Sequence, residues 1–511
     1  MAGMPPRWQS IWPIIIAFIA VLARVIPTPR TIDDAFITFR YARNLVSGIG
    51  FVFNAGQHVL GTTTPLYTLL LATLAGITRS TNYPWLALSV NALADAATCL
   101  FLVALGEKLT GRRIVGLAAA LLWAVAPMSV TFAVGGMETS VFILLLVATG
   151  YLYVSGQTRR AAVAGGLLLL TRPDGLLLVA PIMVDLLVRR LRQRQFPAVE
   201  ALLFLGTVLP WTVFAVVYFG SPIPHSLLAK TLAYRVGPLD GLINLLQHYG
   251  TPFFEDQFLG RFWPLAGFSV YLAFGMIGGL SILRRDTRAW PIVLFPGLYF
   301  VAYAAARVLI FRWYLAPPQP FYFLLILGGL AKLIGDLTAG TRGRALVQRF
   351  DPLIVPIGAF VFLSVCAWTP RPDHGPSEPA PQMAWHQLEL YYAQVGRALA
   401  PRITATSVVA AGDVGALGYF SNARILDTVG LMSPEATAYY PLDPSLYTIS
   451  YAIPPQLILN ERPDFVVLLE VYGRLGLLQS PQFLGTYQLI QQIDTDIYGS
   501  HGLLVFQRRA Q

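Results

Sequence analysis

Charge is scarce in this chain and cysteine nearly absent. Only 12% of the 511 residues are charged, against the roughly 25% usual for a soluble domain, while 55% are hydrophobic and the mean hydropathy is +0.60. A soluble globular chain is thereby excluded, and a polytopic membrane protein implied. The two cysteines, Cys99 and Cys366, lie within apolar runs, which argues against a disulfide framework. There is no CxxC and no Cys/His pattern for a metal, and no internal repeat or low-complexity tract. The glycine-rich stretch AAGDVGALGYF (410–420) lacks both GK[ST] and the GxGxxG spacing, so it reads as a strand-to-helix turn. The net charge of +10 does not point to nucleic acid, because most arginines occupy short loops between apolar runs. Arg7 precedes the first apolar stretch with no small-residue cleavage site after it, so that stretch reads as a retained first helix.

What is abundant is apolar sequence in runs of spanning length. A span needs about 20 apolar residues, fewer in a short hairpin. Eleven candidates fall near 11–27, 83–105, 114–134, 139–156, 160–171, 174–189, 197–220, 264–283, 290–310, 313–335 and 352–369. The loops GEKLTGRR (106–113), GQTRR (156–160), RRLRQRQ (189–195), RRDTR (284–288) and GTRGRALVQR (340–349) then share one side, which the positive-inside rule makes cytoplasmic. The expected chain has its N-terminus inside and its last 140 or so residues outside. Counting TPLYTLLLATLAGI (64–77) as a span would invert every later loop, so it reads as a half-helix at the outer face. Residues 1–369 thus form a membrane domain whose first outer loop is 28–82. A polar, proline-rich linker follows (370–382), and then a segment of soluble type (383–511). In that segment 383–399 has helical periodicity, while SVVAAG (407–412), RILDTVG (424–430), DFVVLLE (464–470), TYQLIQQI (486–493) and LLVFQ (503–507) read as strands of a small α/β domain.

The outer face collects the polar groups that can carry chemistry. Residues 31–44, TIDDAFITFRYARN, place Asp33, Asp34, Arg40 and Arg43 on a helix among Phe36, Phe39 and Tyr41. The carboxylates can simply cap that helix. Alternatively, one of them faces a cavity as general base toward a sugar hydroxyl, with arginine neutralising a phosphate. Glu138 in GGMETSVF lies between two spans, and TRPDG (171–175) puts Arg172 and Asp174 at a hairpin tip, where charge is costly unless used. SPIPHSLLAK (221–230) supplies His225 and Lys230, one of very few lysines. RWYLAPPQPF supplies Arg312, and the first outer loop adds His58.

These stretches, with GDVGALGYFSNARILDTVGL (412–431), resemble the GT-C superfamily of integral-membrane glycosyltransferases along nearly the whole chain. Within it the chain is most similar to the terminal arabinofuranosyltransferases of bacterial cell walls, and more distantly to the protein mannosyltransferase and aminoarabinose-transferase branch. The DD-A-[FY]-I-x-x-R-Y-A-x-N block is the specific part. The resemblance implies a helical GT-C membrane domain with an extracytoplasmic α/β domain in a bacterial inner membrane. It also implies inverting transfer of a sugar, such as arabinofuranose, from a polyprenyl-phosphate donor to a glycan or glycolipid acceptor. The catalytic carboxylate falls on Asp33 or Asp34, with Asp33 preferred. The donor phosphate falls to Arg40, Lys230, Arg312 and Arg43, and the substrate to His58, Glu138, Arg172, Asp174 and His225. Some members use a divalent cation (Mg or Mn), which no dense carboxylate cluster here demands. The pattern departs at Leu60, where the family carries an acid, and at His225, where it often carries Asn. A flippase of lipid-linked sugars would show repeats and midplane charges. A non-catalytic glycan-binding scaffold is the remaining alternative.

Overall fold

A computed structural model describes residues 11–306, 308–338, 351–367 and 384–509. The expected linker 370–382, the loop 340–349 and Arg7 lie outside the described residues. Every one of the eleven apolar segments contains a helix, from Ile11–Val25 to Ile354–Cys366. Five helices are long and apolar enough to cross a membrane: Tyr83–Thr110, Ala198–Phe219, Trp263–Arg285, Thr287–Ala306 and Gln319–Thr338. A sixth results if Arg113–Val125 and Pro127–Val134 are taken as one span bent by 48°. The bend has a local cause: Ala126 precedes a proline and is extended, at φ −60°, ψ 128°. The segment expected at 313–335 begins only at Gln319, because Pro317 and Pro318 interrupt it and Arg312–Tyr314 forms a 3₁₀ turn.

The arginine loops among the described residues gather at one end. Arg189 Nη2 donates to Thr287 Oγ1 at 3.3 Å, and the Arg285 and Arg288 guanidinium groups lie against Gly111 and Gly156. From that end the helices run alternately away and back, so Val134, Glu138, Arg172 and Phe219 all arrive at the opposite end. The outer side of helix Ala198–Phe219 is a continuous apolar face, with Leu202, Val213 and Val217 exposed, as a lipid-facing helix requires. The helix Pro65–Thr78 packs chiefly on Asp33–Val46.

Within the bundle Arg24 and Asp95 form an ion pair at 2.8 Å, both fully buried. Arg24 also donates to Ala20 O, Ala124 O and Ser129 Oγ, and Asp95 accepts from Trp123 Nε1 and Ser140 Oγ. This network holds the two sides of the Ala126 bend together.

The C-terminal domain is a five-stranded sheet, β1 Val408–Ala411, β2 Arg424–Asp427, β3 Phe465–Leu469, β4 Tyr487–Ile493 and β5 Leu503–Arg508, in the order β2-β1-β3-β5-β4. Strands β2, β1 and β3 are parallel, and β5 runs antiparallel to both its neighbours, β3 and β4. The strand expected over 424–430 stops at Asp427, because the Asp427 carboxylate takes the Val429 and Met432 amides at 2.9 Å and turns the chain into a loop. Helix Gly415–Ser421 follows β1 and packs on helix Asp33–Val46. A side chain at 415 would collide with the Asp33 carbonyl, so this contact requires glycine. Asn54 of the first outer loop extends the sheet: its amide donates to Ile425 O at 2.9 Å and accepts from Ile425 N at 3.0 Å.

Candidate active site

The two adjacent carboxylates face different ways, because consecutive helical residues point about 100° apart. Asp33 turns to the C-terminal domain, where it accepts from Gly415 N at 2.8 Å and Ala416 N at 2.9 Å and so caps that helix. Asp34 turns to a cavity of about 270 Å³ between the membrane helices and the domain above them, and Ile37 and Thr38 follow it there at helical spacing. Lys230 Nζ donates to Asp34 Oδ2 at 3.4 Å and lies 5.0 Å over the Phe311 ring. Burial alone would lower the Lys230 ammonium, but the Asp34 charge and Tyr314 hold it above the ordinary lysine value, so it stays a cation.

The facing wall comes from the hairpin tip and its neighbours. Arg172 grips both oxygens of Asp174 at 3.1 and 2.7 Å and reaches Glu138 at 3.3 Å. Tyr299 and Tyr303 donate to the same Asp174 oxygen at 2.9 and 3.2 Å. Glu138, Arg172 and Asp174, remote in sequence, thus form one rigid charged patch on the cavity. A hydroxyl shelf completes it: Thr62 and Thr64 share a hydrogen bond at 3.1 Å, and Thr63 lies between them. Leu431, on the loop shaped by Asp427, closes the cavity from the C-terminal side. Gly61 is required beneath it, since a side chain there would meet Met432 Sδ and Leu431 O.

The remaining expected residues lie elsewhere. Arg40 is 4% exposed, donates to Ala423 O at 2.7 Å and lies 4.3 Å from the Phe53 ring. Arg43 donates to Tyr419 O at 2.8 Å and Asn422 Oδ1 at 2.7 Å. Neither lines the cavity; with Asp33 and Phe36 they make the face on which the C-terminal domain sits. The side of the helix that carries Arg40 and Arg43, expected at the donor phosphate, is therefore a docking surface, and the cavity face lies one residue round the helix. His58 is exposed and stacks on Tyr218 at 4.2 Å, while His225 holds Leu60 O through its backbone amide at 2.8 Å; neither lines the cavity. Arg312 lines an adjoining chamber together with Lys230. The threonine shelf and the aromatic wall of Tyr234, Tyr303, Trp313 and Tyr314 were missed by sequence reasoning; the run GTTTP, three hydroxyls between glycine and a helix-starting proline, was the available signal. The divalent cation of some GT-C members finds no ligand set, since no group of three or more His, Cys, Asp or Glu is placed to hold one among the described residues.

Two measurable consequences follow from the docking face. Arg43→Ala should lower stability by about 1.5–3 kcal/mol, the range for hydrogen bonds to charged groups, without raising the Michaelis constant for a phosphate-bearing donor. Thermal unfolding and donor titration measure the two effects. The interface should also depend on pH. Burial first, then the Asp413 charge, raises the Asp33 carboxyl to about 7, and burial raises Asp413 to about 6 against a hydrogen bond from Tyr392. Both values exceed the unfolded carboxylate's, so their contribution is complete below about pH 4 and is lost as pH rises through 6 to 7. The thermal midpoint should therefore fall between mildly acidic and mildly alkaline buffer, and Asp413→Asn should flatten that slope.

Comparison with known proteins agrees with this architecture. Residues 381–507 match a family described as a domain of unknown function (DUF8728). The chain is 29% identical over 356 residues to the terminal beta-(1->2)-arabinofuranosyltransferase of Mycobacterium tuberculosis, covering 65% of this chain and 52% of that protein. It is 26% identical over 444 residues to the alpha-(1->3)-arabinofuranosyltransferase of Corynebacterium glutamicum, covering 81% and 91%. The chain thus spans about half the length of the mycobacterial relative and nearly all of the corynebacterial one. Among solved structures it resembles ArnT from Cupriavidus metallidurans bound to undecaprenyl phosphate, with a TM-score of 0.56 over 99% of both chains at 12% identity. The chain is therefore similar in sequence to arabinofuranosyltransferases and carries the fold of the GT-C membrane glycosyltransferases.

Proposed function

We propose that the chain is an inverting glycosyltransferase that moves a sugar from a polyprenyl-phosphate donor to an acceptor hydroxyl at the outer face of a bacterial cell membrane. The observation that carries this reading is the cavity in which Asp34, paired with Lys230, faces the Glu138–Arg172–Asp174 patch. Asp34 takes the proton of the acceptor hydroxyl as its oxygen attacks the anomeric carbon. The bond from that carbon to the phosphate oxygen breaks from the opposite side, and its electron pair leaves with the lipid phosphate. One displacement inverts the anomeric centre. The leaving group is already an anion, so it needs a cation more than a proton, and Lys230 is placed to supply the charge. Arg172, saturated by its two carboxylates, orients the wall around the sugar.

Asp34 rather than Asp33 is assigned as base, because Asp33 is committed to the Gly415 and Ala416 amides. The names of the mycobacterial and corynebacterial relatives support a pentofuranose donor, and the lipid bound to ArnT supports a polyprenyl-phosphate carrier. The arginine loops at the far end support a cytoplasmic N-terminus and an extracytoplasmic C-terminal domain. Purified full-length protein should convert a labelled polyprenyl-phosphate pentose or hexose into a glycoside of inverted anomeric configuration. Transport of the intact lipid across liposomes with no glycosidic product would overturn the reading.

A further inference from the structure

The C-terminal domain has a concave surface of its own, at the end of the sheet remote from the membrane half. Strand β1 runs from Val408 toward Gly412 and Asp413, which face the membrane helices. The opposite ends of the strands, at Ser407, Phe465, Tyr487 and Arg508, open on a cleft of about 1240 Å³. That exceeds the roughly 300–1,000 Å³ of a site for one small ligand, and suits an oligomer.

The charge of the cleft is unlike that of the domain around it. Residues 384–509 carry ten acids, seven arginines and no lysine. Four of those arginines, Arg402, Arg462, Arg508 and Arg509, line the cleft, and Asp464 is the only acid beside them in the lining. Asp464 is already satisfied, since it accepts from Val408 N at 2.9 Å and from Arg508 Nη2 at 2.7 Å. The guanidinium groups of Arg402, Arg462 and Arg509 make no hydrogen bond or ion pair among the described residues, and all three residues are exposed. Arg462 also stands where arginine is costly. It ends helix Pro455–Glu461 at φ 47°, ψ 54°, the left-handed conformation usually taken there by glycine or asparagine. Arg508 Nη1 donates to the Arg462 carbonyl and ties this turn to the cleft. A strained residue that presents a free cation to a cleft is the kind of outlier that binding sites produce.

The lining restricts the class of ligand. Guanidinium groups pair bidentately with carboxylate or phosphate. Among them stand the side-chain amides of Gln456, Gln482 and Gln488, which both donate to and accept from hydroxyls. Phe465 and Tyr487 are buried beneath the cleft, so they offer a protein partner no exposed aromatic anchor. The cleft also opens away from the membrane half, which disfavours a bilayer surface. A chain that carries acidic groups and hydroxyls together matches both sets of side chains.

We infer that this cleft binds an acidic glycan, with its carboxylate or phosphate groups on Arg402, Arg462 and Arg509 and its hydroxyls on the glutamines. The site is separate from the transfer cavity, and its occupancy does not depend on sugar transfer.

The test is binding to the full chain in a neutral detergent, with labelled hexasaccharides as probes: hexagalacturonate for carboxylate, phosphorylated mannohexaose for phosphate, and neutral mannohexaose. At least one acidic probe should bind tenfold or more tighter than the neutral one, and the difference should shrink as salt is added. Arg462→Gly should weaken acidic binding about tenfold, as loss of a hydrogen bond to a charged group implies. The same variant should raise the thermal midpoint, because glycine adopts the left-handed turn without strain, so the loss cannot come from misfolding. Arg402→Gln combined with Arg509→Gln should weaken acidic binding at least as much. Equal binding of all three hexasaccharides overturns the inference, as does acidic binding that survives both sets of arginine variants. Hexaglutamate binding as tightly as hexagalacturonate overturns it in favour of a protein partner, and displacement of the acidic probe by phosphatidylglycerol vesicles overturns it in favour of a membrane.

Discussion

Asp34→Asn lowers sugar transfer by roughly 10²–10⁴-fold, the span ascribed to a positioned general base, in a protein that still folds and still binds its lipid donor. The amide keeps the shape and the contact with Lys230 but cannot accept a proton, so the loss falls on turnover rather than on donor affinity. Asp33→Asn has the opposite signature. The amide keeps one oxygen for one of the two backbone N–H donors and turns an NH2 toward the other, so one of the two cap hydrogen bonds is lost. Stability falls by about 1 kcal/mol, the ordinary cost of a weakened cap, and transfer at saturating substrate is retained. Steady-state rates and thermal unfolding on the two single variants decide the assignment. Full turnover in Asp34→Asn would remove it.

Arg24→Met destabilises the bundle by about 3–5 kcal/mol, as removing one partner of a buried ion pair does. The orphaned Asp95 then sits at 0% exposure with only Trp123 and Ser140 as donors. The double variant Arg24→Met, Asp95→Leu recovers much of that loss, because no uncompensated charge is left. Because Arg24 bonds to Ala124 O and Ser129 Oγ on either side of the bend, the single variant also loosens the segment leading to Glu138, and transfer falls along with stability. Chemical unfolding in detergent, run as a double-mutant cycle, reads the pair; an additive double variant would contradict it.

Much of the site was legible because its residues break a local rule. Charges at the TRPDG hairpin tip and beside GGMETSVF have no reason to stand among apolar spans unless something uses them, and Glu138, Arg172 and Asp174 do meet on one cavity. The strand-turn-helix texture after 383 was equally clear, since period-two runs with β-branched residues announce strands locally. What failed was rotation. Arg40 and Arg43 were placed on the right helix but given to the cavity, because no local signal says which of two adjacent faces a second domain will cover. Arg24–Asp95 was invisible for a related reason: an arginine near the end of an apolar helix reads as a boundary residue until its partner 71 positions on is seen in space.

Asn54 has a consequence for how such chains can be recombined. Strand β2 is an edge of the sheet, and at Ile425 its backbone is satisfied by a side chain from the membrane half. A C-terminal segment cut free at residue 384 would carry that edge open, and an open edge invites pairing with another copy. The portable unit is therefore discontinuous: residues 384–509 travel with 33–54, and a chimera that exchanges one without the other inherits an adhesive flank instead of a new specificity.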